Sequence, residues 1–430
     1  MDPIIETSFR FDERKHCLIP CEATSQLPRG TLQGRTDKLL RFEKTLLESD
    51  YMDAVREALK PLIVPAIDVS QHRTSLDIVP VVMCPTRGFQ SLRYDLRESE
   101  SLGALVRNQA NALGWQLVKL TLEQIGAKVL PAQSVYHSLP QIDDRDPLRD
   151  RSTSEMFVRD PGLIYGDTFY APAPYLFEAL HRTSTDPLNL ALLEMVGLGD
   201  VVGQTEDAFT EIREMQIVNI LKAFKKGGKE FSLQRVDAVF EGGNTVVDSR
   251  KGIIFIGRDR VCFSRNQTGL YNDAHEHWRK SIAAATGADV IPIDCGEPRH
   301  TILPAARFHL DMLMARLPGR DLLIDPRHTS ENSYTQLQKI YGREIIHVRD
   351  DNPDYIKGLV GKEVANCPAN LVSVGHTLLM QNCSDTLRTD LRSKGYEVIS
   401  AQDLGVHPSL FYFRGGSLDC ITLRAPPLTL

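Results

Sequence analysis

Five polar side chains stand inside apolar, strand-like sequence, and together they define a chemistry. They are Asp160 in "MFVRDPGLIYGD", Glu241 in "AVFEGGNTVVD", His309 and Asp311 in "ARFHLDMLMA", and Cys420 in "RGGSLDCIT". A cysteine attacks through its thiolate, which an adjacent imidazole generates or stabilises, and the imidazole needs a carboxylate to orient it. Cys420, His309 and Glu241 supply those three roles. Asp160 and Asp311 are then surplus acids in the same cavity, and two carboxylates about one planar cation are the reverse of an arginine clamping a carboxylate. The ligand so inferred is a guanidinium. Gly415 and Gly416, ahead of Cys420, fit a backbone that must come close to a substrate.

Each motif alone has a plainer reading. If "FHLDML" is a strand, His309 and Asp311 share one face while Phe308, Leu310 and Met312 point to the other. A half-exposed edge strand with both polar groups in water has the same pattern. "FEGGN" also fits a simple turn, and "VRDPG" a Pro-Gly turn. Their combination carries the inference.

The elements that must position these groups show one recurring phrase, an amphipathic helix, a glycine, then a short β-branched run. It occurs in "EQIGAKVLP" at Gly126, "FKKGGKEFSL" at Gly228, "AATGADVIPI" at Gly287, "QKIYGREIIHV" at Gly342 and "LRSKGYEVISA" at Gly395. A glycine there suits a helix C-cap with positive φ, and the residues after it have the content of a buried strand. Further strands are expected in "IVPVVMCP", "GLIYGDTFYAP", "KGIIFIG", "RDLLIDP" and "ANLVSVG", so that a strand precedes each helix and another follows it. Five such modules, the last four near-regular in spacing, would form an α/β propeller with inner strand ends lining its centre. An open α/β sheet produces the same phrase. Residues 1–75 lack it and show helical periodicity at "LLRFEKTLLESDYMDAVREALKPLI". They are expected to be a partly helical N-terminal extension, packed on the ring or on a second copy of the chain, with residues 76–430 forming the catalytic domain. A homo-oligomer is therefore among the expectations.

The chain of 430 residues is 42% hydrophobic and 25% charged, an ordinary globular composition. Its formal charge of -6 gives no reason to expect nucleic acid or an anionic membrane surface as a partner. "MDPIIETSFRFDERKH" lacks the apolar core of a signal peptide, so a cytoplasmic location is expected. The 8 cysteines are neither clustered as zinc ligands nor dense enough for a disulfide scaffold. The "CLIPC" pair Cys17 and Cys21 is assigned to packing, and no metal or cofactor is expected.

With "VVMCPTRGF", "FVRDPG", "FEGGNTVVD", "FHLDM" and "RGGSLDCIT" in that order, the sequence resembles the guanidino-group-modifying superfamily. These are the five-bladed pentein propellers, which include arginine deiminases, dimethylarginine dimethylaminohydrolases, agmatine deiminases and glycine amidinotransferases. The resemblance runs from residue 78 to residue 430. It implies an α/β propeller of ββαβ modules, with Cys420 as nucleophile, His309 as acid and base, Glu241 as its partner, and Asp160 and Asp311 as the guanidinium fork. The implied reaction is hydrolysis of arginine or a derivative through a covalent amidino-cysteine, giving a ureido product and an amine or ammonia. The Glu of E-G-G favours the hydrolases over the amidinotransferases, which move the amidino group to an amine acceptor. A non-catalytic binding propeller is a further alternative, and retention of all five polar residues argues against it. The family's S-x-R-T-N motif is matched loosely by "FSRNQTG", leaving Arg265 either a ligand of a substrate carboxylate or a surface residue. Asn244 replaces the aspartate of E-G-G-D, where it would alter contacts to the amine end of the substrate. Arg414 is another candidate carboxylate ligand.

Overall fold

The computed structural model describes residues 5–12, 17–24, 68–74, 77–84, 101–133, 157–174, 206–238, 240–259, 268–295, 309–358, 363–413 and 416–426. The chain opens with an antiparallel hairpin of β1 (Ile5–Asp12) and β2 (Cys17–Thr24). Next come β3 (Val79–Met83), α1 (Ser101–Gln124) and β4 (Ala127–Pro131). The second unit is β5 (Leu163–Tyr165), β6 (Thr168–Pro172), α2 (Glu206–Lys226) and β7 (Ser232–Val236). The third is β8 (Thr245–Asp248), β9 (Ile253–Asp259), α3 (Thr268–Thr286) and β10 (Asp289–Cys295). The fourth is β11 (Met314–Arg316), β12 (Leu322–Ile324), α4 (Glu331–Tyr341) and β13 (Ile345–His347). A small pair, β14 (Tyr355–Lys357) and β15 (Glu363–Ala365), precedes the fifth unit of β16 (Val372–Val374), β17 (Thr377–Met380), α5 (Asp385–Ser393) and β18 (Glu397–Ser400). Finally β19 (Leu423–Arg424) returns to β3.

Every unit makes a three-stranded mixed sheet of one design. Its central strand pairs antiparallel with a short first strand and parallel with the strand that follows the helix: β5-β6-β7, β8-β9-β10, β11-β12-β13, β16-β17-β18 and β19-β3-β4. A parallel neighbour requires a crossover, and the helix is that crossover. Ser330 and Ser384 cap α4 and α5 by accepting the Ser333 and Leu387 N–H groups, which satisfies donors that a helix start leaves open.

All five glycines of the repeated phrase adopt positive φ, between 52° at Gly342 and 107° at Gly126. Two details differ from expectation. "GLIYGDTFYAP" is the β5-β6 hairpin and not one strand, because Gly166, at φ 61°, reverses the chain between two apolar runs. "ANLVSVG" contains β16, whereas the strand leading into α5 is β17. The helical periodicity at 39–63 lies outside the described residues.

Apolar clusters link four of the five neighbouring sheet pairs. Val82, Leu130 and Leu423 meet Phe169, Ala171 and Phe224. Val246, Phe255 and Ile293 meet Met314, Leu322 and Ile324, and Leu323 and Ile346 meet Leu378, Met380 and Val398. Val372, Leu379 and Ile399 return to Val79, Val81 and α1, and β5 contacts β8. Residues 68–74 join this body: Val69 lies in the last cluster, and the Thr74 and Thr377 hydroxyls are 3.0 Å apart. Among the described residues no helix is long and apolar enough to cross a membrane.

Gly395 ends α5 at φ 86° with no atom within 4 Å of the Cβ it lacks, so a side chain there meets backbone strain alone. Gly395→Ala is expected to lower unfolding stability by about 1–2 kcal/mol, measured by urea titration.

Candidate active site

The five polar residues come from equivalent places. Asp160 precedes β5, Glu241 precedes β8, His309 and Asp311 precede β11, and Cys420 precedes β19. Each sits in the turn ahead of a sheet's first strand, and the buried apolar residues of that strand hold the turn in place. Backbone contacts then tie turn to turn. The Gly242 N–H donates to the Asp160 carbonyl at 3.0 Å, and the Arg159 N–H to the Cys420 carbonyl at 3.4 Å.

The close approach of the Glu241 and Asp160 turns depends on Gly242, where a Cβ would lie 2.0 Å from the Arg159 carbonyl oxygen. Next to it, a Cβ on Gly243 would lie 2.7 Å from His309 Nδ1, 3.1 Å from Asp160 Oδ1 and 3.2 Å from Asp311 Oδ2. The space that Gly243 leaves open is therefore bounded by the imidazole and both acids. Residues His309–Met312 are not a strand. His309 is extended (φ -97°, ψ 144°), and Leu310–Met312 form a 3-10 turn closed by Met312 N–H to the His309 carbonyl at 3.2 Å. Strand pairing begins only at β11.

His309 Nε2 lies 2.6 Å from Glu241 Oε2, and Arg213 Nη2 of α2 donates to the other carboxylate oxygen at 3.1 Å. Burial works against a charged imidazole, but the hydrogen bond and charge of Glu241, helped by Asp160 and Asp311, outweigh it and carry His309 up to about 9. With Nε2 committed to Glu241, it is Nδ1 that faces the acids, 3.9 Å from Asp160 Oδ1. Burial and then the Glu241 charge raise Asp160 to about 7, and burial raises Asp311 to about 7. Asp160 Oδ1 and Asp311 Oδ1 are buried without a hydrogen-bond partner, an unfavourable state unless a ligand donates to them.

Cys420 is 2% exposed. Its thiol donates to Asp311 Oδ2 at 3.4 Å and accepts from Asn370 Nδ2 at 3.2 Å. Burial, then the Asp311 and Asp160 charges, push the thiol well above its ordinary value. Gly416 stands against it, since a Cβ there would lie 3.1 Å from Sγ and 2.7 Å from the Phe157 ring. The neighbouring Asp419 carboxylate is bracketed by Arg159 Nε at 3.4 Å and Arg424 Nη2 at 3.3 Å.

The structure thus brings Cys420, His309, Glu241, Asp160, Asp311 and Gly416 together. Asn244 faces inward to backbone: Nδ2 donates to the Gly257 carbonyl at 2.9 Å and Oδ1 accepts the Leu310 N–H at 3.2 Å. It anchors the His309 turn. Arg265, Arg414 and Gly415 lie outside the described residues. Asn370 and Arg213 escape sequence reasoning: Asn370 before an apolar run reads as an ordinary turn residue, and Arg213 lies on a helix with nothing to single it out. Gly243 belongs to the glycine pair after Glu241, which is a usable signal of a close approach.

Asp160, Glu241 and His309 offer ligand atoms within 4.8 Å of one another. Glu241, however, engages His309 with one oxygen and Arg213 with the other, so a metal ion would have to displace both. Asp325, His328 and Asp354 form a second such group, and Arg327 already pairs with both aspartates.

No family model matches the chain, and no curated protein matches it. Solved structures with similar backbones include the N-terminal domain of ArgZ, an arginine dihydrolase from the ornithine-ammonia cycle in cyanobacteria, in a substrate-bound variant. It is 16% identical, covering 80% of this chain and 97% of that one, with a TM-score of 0.48. A variant of AgrE with L-arginine is 16% identical, covering 80% and 40%, with a TM-score of 0.48. A dimethylarginine dimethylaminohydrolase adduct with S-methyl-L-thiocitrulline is 13% identical, covering 80% and 99%, with a TM-score of 0.44.

Two outcomes follow from the site. Gly243→Ala fills the space between His309, Asp160 and Asp311, so guanidinium binding measured by calorimetry is expected to fall at least about tenfold, by overpacking, while the far-UV spectrum stays unchanged. Asp160 rises from 3.8 to about 7 on folding, so the native state holds an extra proton between those values and loses stability as pH rises through them. Asp160→Asn removes that loss. Its unfolding free energy from urea titration is expected to exceed that of the unaltered protein by on the order of 1–3 kcal/mol near pH 8, with the gap closing towards about pH 4.

Proposed function

We propose that the chain is a guanidino-group-modifying enzyme of the pentein type that hydrolyses a small guanidino compound, arginine or a derivative of it, through a covalent amidino-cysteine. The observation that carries this reading is the space beside Gly243. It is bounded by Asp160 Oδ1, which is buried without a hydrogen-bond partner, by Asp311 Oδ2 and by His309 Nδ1, and Asp311 Oδ2 also accepts from the Cys420 thiol. A planar cation with several N–H donors satisfies those oxygens as a point charge cannot. The recurrence of one sheet design, packed in sequence and joined from last to first by β19 on β3, supports a five-bladed propeller with the site at its centre.

In this reaction the guanidinium lies between Asp160 and Asp311 with its central carbon towards Cys420 Sγ. A cation there opposes the two carboxylate charges that hold the thiol neutral and so favours the thiolate. Sulfur attacks, a C–S bond forms, and the tetrahedral adduct collapses with cleavage of one C–N bond. The leaving nitrogen takes the proton of His309 Nδ1, the imidazole nitrogen not bound to Glu241. His309, now neutral, removes a proton from water as it attacks the amidino carbon. The C–S bond breaks, the sulfur leaves as thiolate, the adduct's remaining hydroxyl proton passes to solvent, and the ureido product forms. Glu241, held by Arg213, fixes the ring and offsets its charge. Alignment of carbon and sulfur supplies much of the acceleration.

Mass spectrometry of products from a panel of guanidino compounds, with and without amine acceptors and beside Cys420→Ser, tests the proposal. A ureido product or ammonia that is lost in the Cys420→Ser variant is expected. An acceptor carrying a new amidino group would make the protein a transferase. Absence of both turnover and any adduct on Cys420 would leave a binding protein.

A further inference from the structure

Four of the five sheets contribute a reacting or ligand-facing group from the turn ahead of their first strand: Asp160, Glu241, His309 with Asp311, and Cys420. The corresponding turn of the β16-β17-β18 sheet, "CPAN", ends in Asn370, directly before "LVSV" as Cys420 stands directly before "ITLR". Asn370 is fully buried, and its carboxamide has a fixed orientation. Its oxygen must be the acceptor facing Asp419, because a backbone N–H donates to it at 2.7 Å. That leaves its NH2 end, a donor only, pointing at Cys420 Sγ at 3.2 Å. The turn itself is held by the Asn370 N–H on the Cys367 carbonyl at 3.0 Å.

Besides Asn370, the Ser417 backbone N–H favours the thiolate, and the side chains that oppose it are acids. Asp311 accepts from it, and Asp160 and Asp311 both oppose its ionisation. Asn370 is thus a neutral donor set against two acids. We propose that Asn370 is a catalytic residue of the Cys420 centre, whose amide N–H aims the sulfur and carries part of the thiolate charge, as the fifth sheet's contribution to a site that takes one turn from every sheet. The inference rests on the reading of Cys420 as the nucleophile. During attack the amide donates to sulfur until the C–S bond forms. It receives the thiolate again when that bond breaks, and no proton changes hands at Asn370.

The test follows iodoacetamide alkylation of Cys420, identified by peptide mass, as a function of pH in the unaltered protein and in Asn370→Asp and Asn370→Ala. Asn370→Asp keeps the shape and the acceptor for the Asp419 N–H but replaces the donor with a carboxylate. It therefore separates the donor's role from support of the fold, and thermal melts exclude unfolding. At a fixed pH the alkylation rate is expected to fall about tenfold in Asn370→Ala, the size of one charge-assisted hydrogen bond, and further in Asn370→Asp. Both profiles should shift to higher pH. Alkylation profiles that superimpose on that of the unaltered protein would overturn the proposal. The readout does not depend on turnover. Activity that survives Cys420→Ser would sink the nucleophile reading itself, whereas lost activity with unchanged alkylation in the Asn370 variants would sink this inference alone.

Discussion

Like charge held in a small volume is the constraint around which this molecule is arranged. Asp160, Asp311 and Glu241 converge on one space, and two of them keep a buried oxygen without a partner. Left alone, such a cluster would take up protons or open to water. It persists because the surroundings divide the charge. Arg213 and His309 neutralise Glu241 from two sides, Asp160 and Asp311 are raised towards neutrality, and the thiol stays protonated. What remains unsatisfied has the shape and sign of a cation with N–H donors in a plane.

That balance couples ligand binding to reactivity. In the proposed reaction, a guanidinium between the two acids would supply donors to their orphaned oxygens and oppose the field that keeps Cys420 protonated. On that proposal, one event would satisfy the carboxylates and favour the Cys420 thiolate. Because the thiol is neutral without the cation, other electrophiles meet a poor nucleophile. The cost falls on stability, since the native fold carries two carboxylates it would rather protonate, a common arrangement where function requires strained electrostatics.

Much of the site was legible in the sequence because polar residues beside apolar runs are conspicuous: Asp160, Glu241, His309, Asp311 and Cys420 each stand in the turn just ahead of a short strand with buried apolar residues. The helix-glycine-strand phrase located all five helix ends for an equally physical reason, as positive φ at those ends selects glycine. Other features left weaker traces. The two-residue spacing of His309 and Asp311 fits a strand and a 3-10 turn alike, and only the bonds closing the turn decide between them. The β5-β6 hairpin is compact enough for its apolar content to pass as one strand. Asn370 is invisible by type, since an asparagine ahead of an apolar run is the commonest turn signal. Arg213 is one charge among several on a helix, and only packing against β8's preceding turn gives it a carboxylate to hold.

The anchoring of Cys420 shows why so many contacts converge on one segment. β19 pairs through only Leu423 with Val82 and Arg424 with Val81, too little ladder to fix a sulfur. The segment ahead of it is secured by other bonds. Ser417 Oγ donates to the Phe411 carbonyl at 2.7 Å, the Asp419 N–H to Asn370 at 2.7 Å, and Thr422 Oγ1 to the Leu418 carbonyl at 3.0 Å. Arg159 adds a further tie, because its N–H meets the Cys420 carbonyl and its guanidinium meets Asp419. Arg159 also precedes Asp160, so the residue that ties down the Cys420 backbone belongs to the same turn as an acid of the proposed cation site. A shift of either turn would move sulfur and carboxylate together, and their separation is thereby held by covalent adjacency at both ends instead of by side-chain packing alone.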